Sequence, residues 1–332
     1  MAVDAHCATR YLQALIASST ILFVLCGAVA AQMVGWVATR RGQAGKDLNA
    51  VYFVDTKRGW IAGDGGFISH TEDGGNSWTQ QQVATADAIN DVYFRNKEDG
   101  YLLAGNKIFS TDNGGATWTE LKQFIAADFG GAQPELYSVR FANKKKGWIV
   151  GSLSRRDRVV DSLIFYTNNG GASWQRQRSG NTSELIHIDF ASDKRGYVVG
   201  AGGTILFTRD GGETWTKQRS GVTTTLYHVD FRSERLGLVV GERGTILRTT
   251  DGGETWTQVN WPARGTLLSV QFTSDNECWI VGRGGVILRS SDGGRTWARQ
   301  PINTTQNLYA FYADKKTCWA VGGDGIVLRY ER

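Results

Sequence analysis

The stretch that decides the fold is Thr249–Trp256, which reads Thr-Thr-Asp-Gly-Gly-Glu-Thr-Trp. Its pattern, Ser/Thr-x-Asp/Asn-Gly-Gly-x-Ser/Thr-Trp, occurs six times in the chain. The other copies are Thr71–Trp78, Thr111–Trp118, Thr167–Trp174, Thr208–Trp215 and Ser290–Trp297. A loop motif repeated this often is an element of architecture, because self-similarity at a fixed period is the signature of a repeat fold.

The spacing of the motif gives the size of the repeat. Successive motif tryptophans are 40, 56, 41, 41 and 41 residues apart. A second landmark, such as Leu226-Tyr-His-Val-Asp-Phe, begins eleven residues after Trp215, and seven such starts occur between Leu48 and Leu308. Each unit alternates in polarity between turn residues, which indicates four short strands. Four strands in a repeat of about forty residues are typical of a β-propeller blade.

The seventh unit ends without the motif and without a fourth strand. Its predicted strands are Leu308–Tyr312, Cys318–Val321 and Ile326–Tyr330. Trp36 lies twelve residues before Leu48, which is the spacing of a motif tryptophan, so the missing strand is expected there. The sequence therefore predicts an all-β, seven-bladed β-propeller with four-stranded blades, its last blade closed by an N-terminal strand. Closure removes the free edges of the first and last blades.

The segment before the propeller is apolar. Leu12–Ala31 contains no charged residue and is long enough for the core of a signal peptide or for one membrane-spanning helix. Ala28-Val29-Ala30 offers the small-x-small pattern that a signal peptidase uses. We expect one N-terminal apolar helix in residues 1–31, as a signal peptide or a membrane anchor, and the propeller in residues 32–332.

Composition restricts the classes of function. The net charge of +5 is a modest excess without a basic run, so we expect no nucleic-acid partner. Twelve Trp and only four His favour packed aromatic rings over imidazole chemistry. Cys278 and Cys318 lie at equivalent places in neighbouring units, too far apart for a disulfide, and we expect two free, partly buried thiols.

The repeated motif has a structural explanation. Its Asp accepts hydrogen bonds from the backbone of its own turn, and Gly-Gly supplies positive φ angles. Two copies carry Asn113 and Asn169 instead of Asp. An amide keeps the acceptor oxygen but loses the charge that a hard cation such as calcium favours. We therefore expect a turn cap and no metal.

Catalytic constellations are few. His70, His187 and His228 lie at unrelated places in their units, which argues against a zinc site because metal ligands must converge. The sequence has no Gly-x-Ser-x-Gly turn, phosphate loop or Cys-x-x-Cys pair. We expect neither a cofactor nor an enzymatic activity.

Arginines are predicted on the face opposite the motif, where the second strand of each blade turns into the third. Arginine suits recognition of carboxylates at interfaces. The candidate partner-binding set is Arg243, Arg283, Arg155, Arg156 and Arg158, the last three from an insertion in Ser152–Asp161. A second row, further along the third strands, comprises Arg248, Arg289 and Arg329. An open alternative is that these side chains are solvated or paired with local acids such as Glu242.

The repeated Arg/Lys-Gly-Trp/Tyr-x-x-Gly, Gly-Gly-x-Ile-x-x-Thr and Thr-x-Asp-Gly-Gly-x-Thr-Trp units resemble the photosystem II stability/assembly factor family. The resemblance covers Trp36–Arg332. It implies a non-enzymatic propeller that binds early photosystem II intermediates on the lumenal side, including the newly made reaction-centre subunit, through an arginine-rich patch. Arg243 and Arg283 match the family's Arg-Gly turns. The chain departs from the family at Phe-Val-Leu-Cys, which is a poor lipoprotein signal.

The resemblance leads us to expect an exported, membrane-associated, monomeric propeller in the thylakoid lumen or the periplasm. It would bind and scaffold membrane-complex subunits during assembly, with the photosystem II reaction-centre precursor as partner in a photosynthetic organism. One alternative is a carbohydrate- or peptide-binding propeller of a non-photosynthetic bacterium. A sialidase-like glycoside hydrolase is disfavoured, because the Arg-Ile-Pro start of those enzymes is absent.

Overall fold

The computed structural model describes residues 35–314 and 317–331. They form 28 β-strands in seven four-stranded sheets, which confirms the seven-bladed propeller. No α-helix occurs in these residues, and none of their helical turns has the length and apolarity to cross a membrane. The N-terminal apolar helix expected in residues 1–31 lies outside the described residues.

Each blade is an antiparallel sheet that begins at the central channel and ends at the rim. The strands of blades one to three are β2 (Leu48–Phe53), β3 (Gly59–Gly63), β4 (Phe67–Thr71), β5 (Thr79–Gln81), β6 (Ile89–Phe94), β7 (Gly100–Ala104), β8 (Lys107–Thr111), β9 (Thr119–Gln123), β10 (Gln133–Phe141), β11 (Gly147–Arg155), β12 (Arg158–Thr167) and β13 (Gln175–Gln177). Those of blades four to six are β14 (Leu185–Phe190), β15 (Gly196–Gly200), β16 (Thr204–Thr208), β17 (Thr216–Gln218), β18 (Leu226–Phe231), β19 (Gly237–Gly241), β20 (Ile246–Thr249), β21 (Thr257–Gln258), β22 (Leu267–Phe272), β23 (Cys278–Gly282), β24 (Val286–Ser290) and β25 (Ala298–Arg299). Blade seven contains β26 (Leu308–Ala313), β27 (Thr317–Gly322), β28 (Ile326–Glu331) and, from the start of the described chain, β1 (Gly35–Arg40).

Short 3₁₀ turns connect some of the strands. Four of them join a second strand to a third strand, and they are Asp64–Gly66, Ala201–Gly203, Glu242–Gly244 and Gly323–Gly325. A fifth, Ala126–Phe129, lies in the longer connection between blades two and three. This connection is one of two insertions that account for the 56-residue spacing, and the other, Ser152–Asp161, lengthens the β11–β12 hairpin of blade three.

The ring is closed as the sequence predicts. β1 pairs antiparallel with β28, from Gly35 opposite Glu331 to Arg40 opposite Ile326. The Trp36 ring packs 5.3 Å from the ring of Tyr330 in the same blade and 5.8 Å from that of Trp279 in blade six. The N-terminal strand therefore completes the last blade and also contacts the blade before it.

The repeated motif folds into a turn held by its own side chains. Asp251 Oδ1 accepts hydrogen bonds from the Thr249 hydroxyl (2.7 Å) and the Thr255 amide (3.0 Å), while Oδ2 accepts one from the Thr255 hydroxyl (2.6 Å). Although burial opposes ionisation, the hydrogen bonds from Thr255 lower the pKa of Asp251 to about 2. In an Asn copy of the motif, Asn113 Oδ1 still accepts the Thr117 amide hydrogen at 3.0 Å. The turn-cap interpretation accounts for both residue types.

The motif also joins neighbouring blades. The Trp256 ring meets the Phe231 ring edge-on at 5.9 Å, and its indole N–H donates to Gln218 of blade four at 3.0 Å. Trp215 makes the corresponding bond to Gln177 at 3.2 Å. Within the described residues Cys278 and Cys318 form no disulfide, as predicted, but the prediction that they are partly buried was wrong, since both are fully buried. Burial raises the pKa of Cys278 to about 12, so it stays protonated.

Replacing Trp36 should weaken the closure of the ring. We expect Trp36→Ala to lower the free energy of unfolding by about 2 kcal/mol, since a large half-buried ring is lost between two blades. The matched control is Val37→Ala in the same strand, because Val37 is 54% exposed. Urea denaturation of both variants measures the difference, and equal losses would contradict a packing role for Trp36.

The motif carboxylate can be tested in the same way. Asp251→Ala should cost about 1–2 kcal/mol through the loss of the turn cap, whereas Asp251→Asn should cost less than about 0.5 kcal/mol. Thermal unfolding with calcium and with a chelator provides the control. A midpoint that depends on calcium in the wild type but not in Asp251→Ala would identify a cation site instead of a cap.

Candidate functional site

The two ends of the propeller differ in how the chain turns. The first residue of β2, Leu48, pairs with Gly63 at the end of β3, so the turn from second to third strand lies where the inner strand begins. The repeated motif follows the third strand at the other end. We call these ends the turn face and the motif face. All five candidate arginines lie in turns or the hairpin of the turn face.

Arg243 has an unusual backbone conformation on the turn face. Its φ of 56° lies in the left-handed region, which costs a residue with a side chain about 1–2 kcal/mol. Glycine occupies the equivalent position in three other blades, at Gly65, Gly202 and Gly284. The Arg243 side chain is exposed, and within the described residues it forms no hydrogen bond or ion pair. The strain is therefore not offset by an internal contact.

Asp324 occupies the position of blade seven that is equivalent to Arg243, and it does form internal contacts. It has the same φ of 56° in blade seven, and its carboxylate accepts the Gly45 amide hydrogen at 2.7 Å. It also pairs with Arg40 of the closing strand. In blade seven the strained residue stabilises the ring closure, whereas in blade five it presents a guanidinium to solvent.

Arg243 lines a shallow depression with a second arginine. The depression has a volume of about 370 Å³ and lies beside the connections on either side of blade five. Arg264 faces it from one connection, and Thr224 and Thr245, whose hydroxyls are 3.0 Å apart, contribute polar groups. Two guanidinium groups beside hydroxyls form a suitable site for a carboxylate. Sequence reasoning missed Arg264, because it lies in an irregular connection that carries no repeat landmark.

Arg283 occupies a different environment on the same face. It stands one position earlier in its turn than Arg243 does, so the residue equivalent to it in blade five is Glu242. Burial at the mouth of the central channel raises the pKa of Tyr227 and of Tyr309. The positive charge of Arg283 acts in the opposite direction and lowers both pKa values in part. The structure therefore places Arg243 and Arg283 at different turn positions and in different environments, although the sequence pattern assigns both to equivalent Arg-Gly turns.

Arg155, Arg156 and Arg158 lie together at the tip of the β11–β12 hairpin. Arg155 pairs with Arg158 across the hairpin, and Arg156 sits in the left-handed turn between them with φ of 49°. The Arg155 guanidinium donates a hydrogen bond to the Gly130 carbonyl at 2.6 Å. All three side chains are exposed.

The second row of arginines has internal partners. Arg248 donates from Nε to the Gly293 carbonyl in the next blade's motif at 2.7 Å, and Arg289 pairs with Glu277 at 2.8 Å. Arg329 donates to the Asn76 side chain, which lies in the motif of blade one, at 2.5 Å. This row ties strands and blades together. Among the described residues, the Glu242 carboxylate accepts hydrogen bonds from the Tyr227 hydroxyl at 3.3 Å and the Thr225 amide at 3.2 Å, and it forms no ion pair with an arginine.

The inner strands surround a central channel that contains a cavity of about 360 Å³. Arg140 forms an ion pair with Asp91 at 2.6 Å and donates a hydrogen bond to His187 Nε2 at 3.1 Å. His187 stacks on His228 with the ring centres 3.6 Å apart. The expectation that these histidines lie at unrelated places was wrong, because each is the third residue of its inner strand. Burial keeps both rings neutral and lowers the pKa of His228 to about 3.

Two carboxylates of the channel join neighbouring blades. Asp189 accepts the Phe231 amide hydrogen at 2.8 Å, and Asp230 accepts that of Phe272 at 2.7 Å. Burial and then the neighbouring Asp189 raise the pKa of Asp230 to about 8. In blade six Gln271 makes the corresponding bond to the Ala313 amide at 2.8 Å.

The polar groups of the channel mainly bind one another or the next blade. Within residues 35–314 and 317–331, no three His, Cys, Asp or Glu side chains are placed to hold a metal ion. The ion pair of Arg140 with Asp91 and the bonds of Asp189 and Asp230 to the next blades hold the inner strands together. On the turn face, exposed guanidinium groups are available to an external partner.

Comparison with known proteins agrees with this architecture. The profile of the family described as photosynthesis system II assembly factor YCF48 matches residues 76–182, 172–264, 218–305 and 263–331. These segments together span most of the propeller. The chain belongs to this family. The resemblance read from the repeated units is thereby confirmed, and the chain is a propeller of the assembly-factor type.

One curated relative is photosystem II stability/assembly factor HCF136, chloroplastic, from Arabidopsis thaliana. It is 23% identical over 149 residues, which are 44% of this chain and 34% of the relative. The match thus spans about a third of the length of that relative.

Solved structures share the fold at low sequence identity. A structure described as YCF48 bound to D1 peptide aligns with a TM-score of 0.72 at 19% identity, covering 90% of this chain and 95% of that chain. YCF48 from Cyanidioschyzon merolae aligns with 0.70 at 18% identity, covering 90% and 99%. A virginiamycin B lyase from Staphylococcus aureus aligns equally well, with 0.73 at 12% identity over 90% and 99%. The fold therefore occurs in enzymes as well as in assembly factors.

The channel carboxylates should make stability depend on pH. The unfolded chain ionises Asp230 near its ordinary pKa of 3.8, whereas the folded protein keeps the proton up to about pH 8. Stability should therefore fall as pH rises through this window. Asp230→Asn keeps the acceptor oxygen and cannot ionise, so it should stabilise the protein by at least about 1 kcal/mol near pH 9, and by much less near pH 5.

Thermal unfolding across this pH range measures the effect. The control is Asp275→Asn, since Asp275 is a surface carboxylate with 82% side-chain exposure. A pH-independent difference between Asp230→Asn and the wild type would mean that Asp230 is ionised in the folded protein.

Proposed function

We propose that this chain is an exported, non-enzymatic assembly factor that binds membrane-complex subunits through its turn face, above all the photosystem II reaction-centre precursor. The observation that carries the proposal is Arg243, a strained and exposed arginine at a position where other blades have glycine. Backbone strain that no internal contact offsets is typical of functional positions. Membership of the family supports the assignment to assembly.

The depression beside Arg243 supports an acidic peptide as the recognised element. Arg243 and Arg264 line it together, and their guanidinium groups are the donors that a carboxylate needs. A related structure, YCF48 bound to D1 peptide, shows that a propeller of this family accepts a peptide. We assign carboxylate recognition to Arg243 and Arg264, with Arg283 at the channel mouth as a further contact. The hairpin arginines Arg155, Arg156 and Arg158 complete the face toward the membrane complex.

The placement of the protein is part of the same proposal. Residues 1–31 act as a signal peptide or a membrane anchor, and residues 32–332 form a monomeric propeller in the thylakoid lumen or the periplasm. The apolar, uncharged Leu12–Ala31 supports export. A chloroplastic relative supports a photosynthetic setting. The internally paired side chains of the channel support a role without catalysis.

Replacing Arg243 should separate binding from stability. Arg243→Gly relieves the left-handed strain, so the free energy of unfolding should stay the same or rise by up to about 1 kcal/mol. Capture of the reaction-centre precursor from solubilised membranes, and of a synthetic D1 peptide, should weaken about tenfold as one charged contact is lost. Arg243→Glu combined with Arg283→Glu should abolish capture.

The matched control is the double variant Arg235→Glu, Arg299→Glu. It makes the same change of charge, and Arg235 lies beside the repeated motif, since its carbonyl accepts the Gly252 amide hydrogen. Undiminished capture by Arg243→Gly and by Arg243→Glu with Arg283→Glu would refute the turn face as the binding surface. A folded control that loses capture equally would point to net charge alone.

A further inference from the structure

The exposed apolar side chains of the propeller are concentrated near blade three. In the part of the chain that the structure describes, five large apolar side chains are exposed, namely Val37, Leu121, Ile125, Val159 and Val160. Ile125 precedes the 3₁₀ turn Ala126–Phe129, and the two valines lie at the tip of the β11–β12 hairpin. Both insertions that break the regular repeat thus carry exposed apolar groups, which marks them as an interaction surface.

The hairpin projects beyond the blade. β11 and β12 have 9 and 10 residues, whereas the corresponding strands β15 and β16 have 5 each. The three residues Arg158–Val160 alone add about 10 Å at the rise of an extended strand. Val160 is the extra residue of a β-bulge, since Ser154 pairs with Val159 and Leu153 pairs with Asp161. Val159 and Val160 are 41% and 44% exposed, so both apolar side chains face solvent.

The base of the hairpin is fixed to the other insertion. Arg155 donates to the carbonyl of Gly130, which ends the 3₁₀ turn. Asp161 pairs with Arg176 at 2.7 Å, and the Arg176 guanidinium lies over the Phe129 ring at 5.6 Å. These contacts join the two insertions, so the base of the hairpin is held in place and the tip extends from it.

The charge at the tip is matched to an anionic surface. The tip contains three positive charges, on Arg155, Arg156 and Arg158, and one negative charge, on Asp157. The two valines follow directly in sequence. Guanidinium groups bind phosphate through paired hydrogen bonds, and apolar side chains beside them enter the boundary between headgroups and acyl chains. The tip projects from the blade and carries two exposed valines. A peptide needs a groove or a free sheet edge, whereas a bilayer accepts a projection.

We propose that the hairpin tip, Arg155–Val160, together with Ile125, docks on a bilayer surface that contains anionic lipids. The arginines bind lipid phosphates, and Val159 and Val160 enter the interface. This contact points the turn face toward the membrane, so that the depression at Arg243 meets peptide segments that emerge from it. The orientation rests on the proposed function, whereas the lipid contact itself does not.

An environment-sensitive dye at the tip tests the contact directly. The full chain is prepared with Cys7→Ser, Cys26→Ser and Val160→Cys, and NBD is coupled to the new thiol, since Cys278 and Cys318 are buried. Vesicles of phosphatidylcholine with phosphatidylglycerol should shift the NBD emission to the blue and increase its intensity. Pure phosphatidylcholine should give a much smaller response. The control dye site is Glu213→Cys, exposed in the repeated motif of blade four.

The control separates insertion of the tip from tethering by the N-terminal segment. A response at residue 160 and none at residue 213 supports the proposal. No response at residue 160, equal responses at both sites, or equal responses to the two lipid mixtures would each overturn it.

Charge reversal tests the arginines. Arg156→Glu with Arg158→Glu should weaken binding to the anionic vesicles about tenfold or more, because each basic side chain near such a surface contributes about fivefold. Arg243→Glu with Arg264→Glu makes the same change of charge in the depression and should leave the dye response at residue 160 in place. Thermal unfolding verifies that both variants fold.

Vesicle binding and subunit capture can fail independently. Lost vesicle binding in Arg156→Glu with Arg158→Glu is the expected result, and it supports the lipid contact whether or not capture of the D1 peptide also weakens. Lost peptide capture with unchanged vesicle binding in the same variant would assign the hairpin to a protein partner and refute the lipid contact. The failure of Arg243→Gly to weaken capture would refute the proposed function but not the docking of the hairpin.

Discussion

The pairing of β1 with β28 is the constraint on which the rest of the structure depends. A propeller blade buries its faces only against two neighbours, so a ring of seven blades is stable as a unit when the first and last blades meet. Here the last blade lacks its own fourth strand, and the N-terminal strand supplies it. Trp36 extends the contact to blade six. Asp324, in the turn between β27 and β28, forms an ion pair with Arg40 of β1. The closure thus combines backbone pairing, aromatic packing and a charge pair.

A closed ring allows the two faces to serve different purposes. On the motif face, carboxylates, hydroxyls and tryptophans are bonded within each turn or to the next blade, as Asp251 and Trp256 show. On the turn face, Arg243 tolerates a left-handed backbone without an internal partner in the described structure. Blades that are held rigidly at one end can carry strain at the other, because the surrounding sheet fixes the turn.

The central channel illustrates why buried polar groups are not evidence of catalysis. Asp189, Asp230 and Gln271 occupy one position in successive inner strands, and each accepts an amide hydrogen from the following blade. The bond needs an acceptor oxygen but not a charge, so an amide serves as well as a carboxylate. The raised pKa of Asp230 follows from burial near a second carboxylate and requires no substrate.

The sequence by itself determined the fold, the number of blades and the strand that closes the ring, because these follow from a local period and from fixed spacings. It also predicted the turn-cap role of the motif, since Asn113 and Asn169 share only an acceptor oxygen with Asp. Only the tertiary structure decided which side chains meet. It separated Arg243 from Arg283, added Arg264 to the depression, and stacked His187 on His228. His187 and His228 are 41 positions apart, and Arg243 and Arg264 are 21 apart. A repeat period specifies the blade but not the side chains that its neighbour presents.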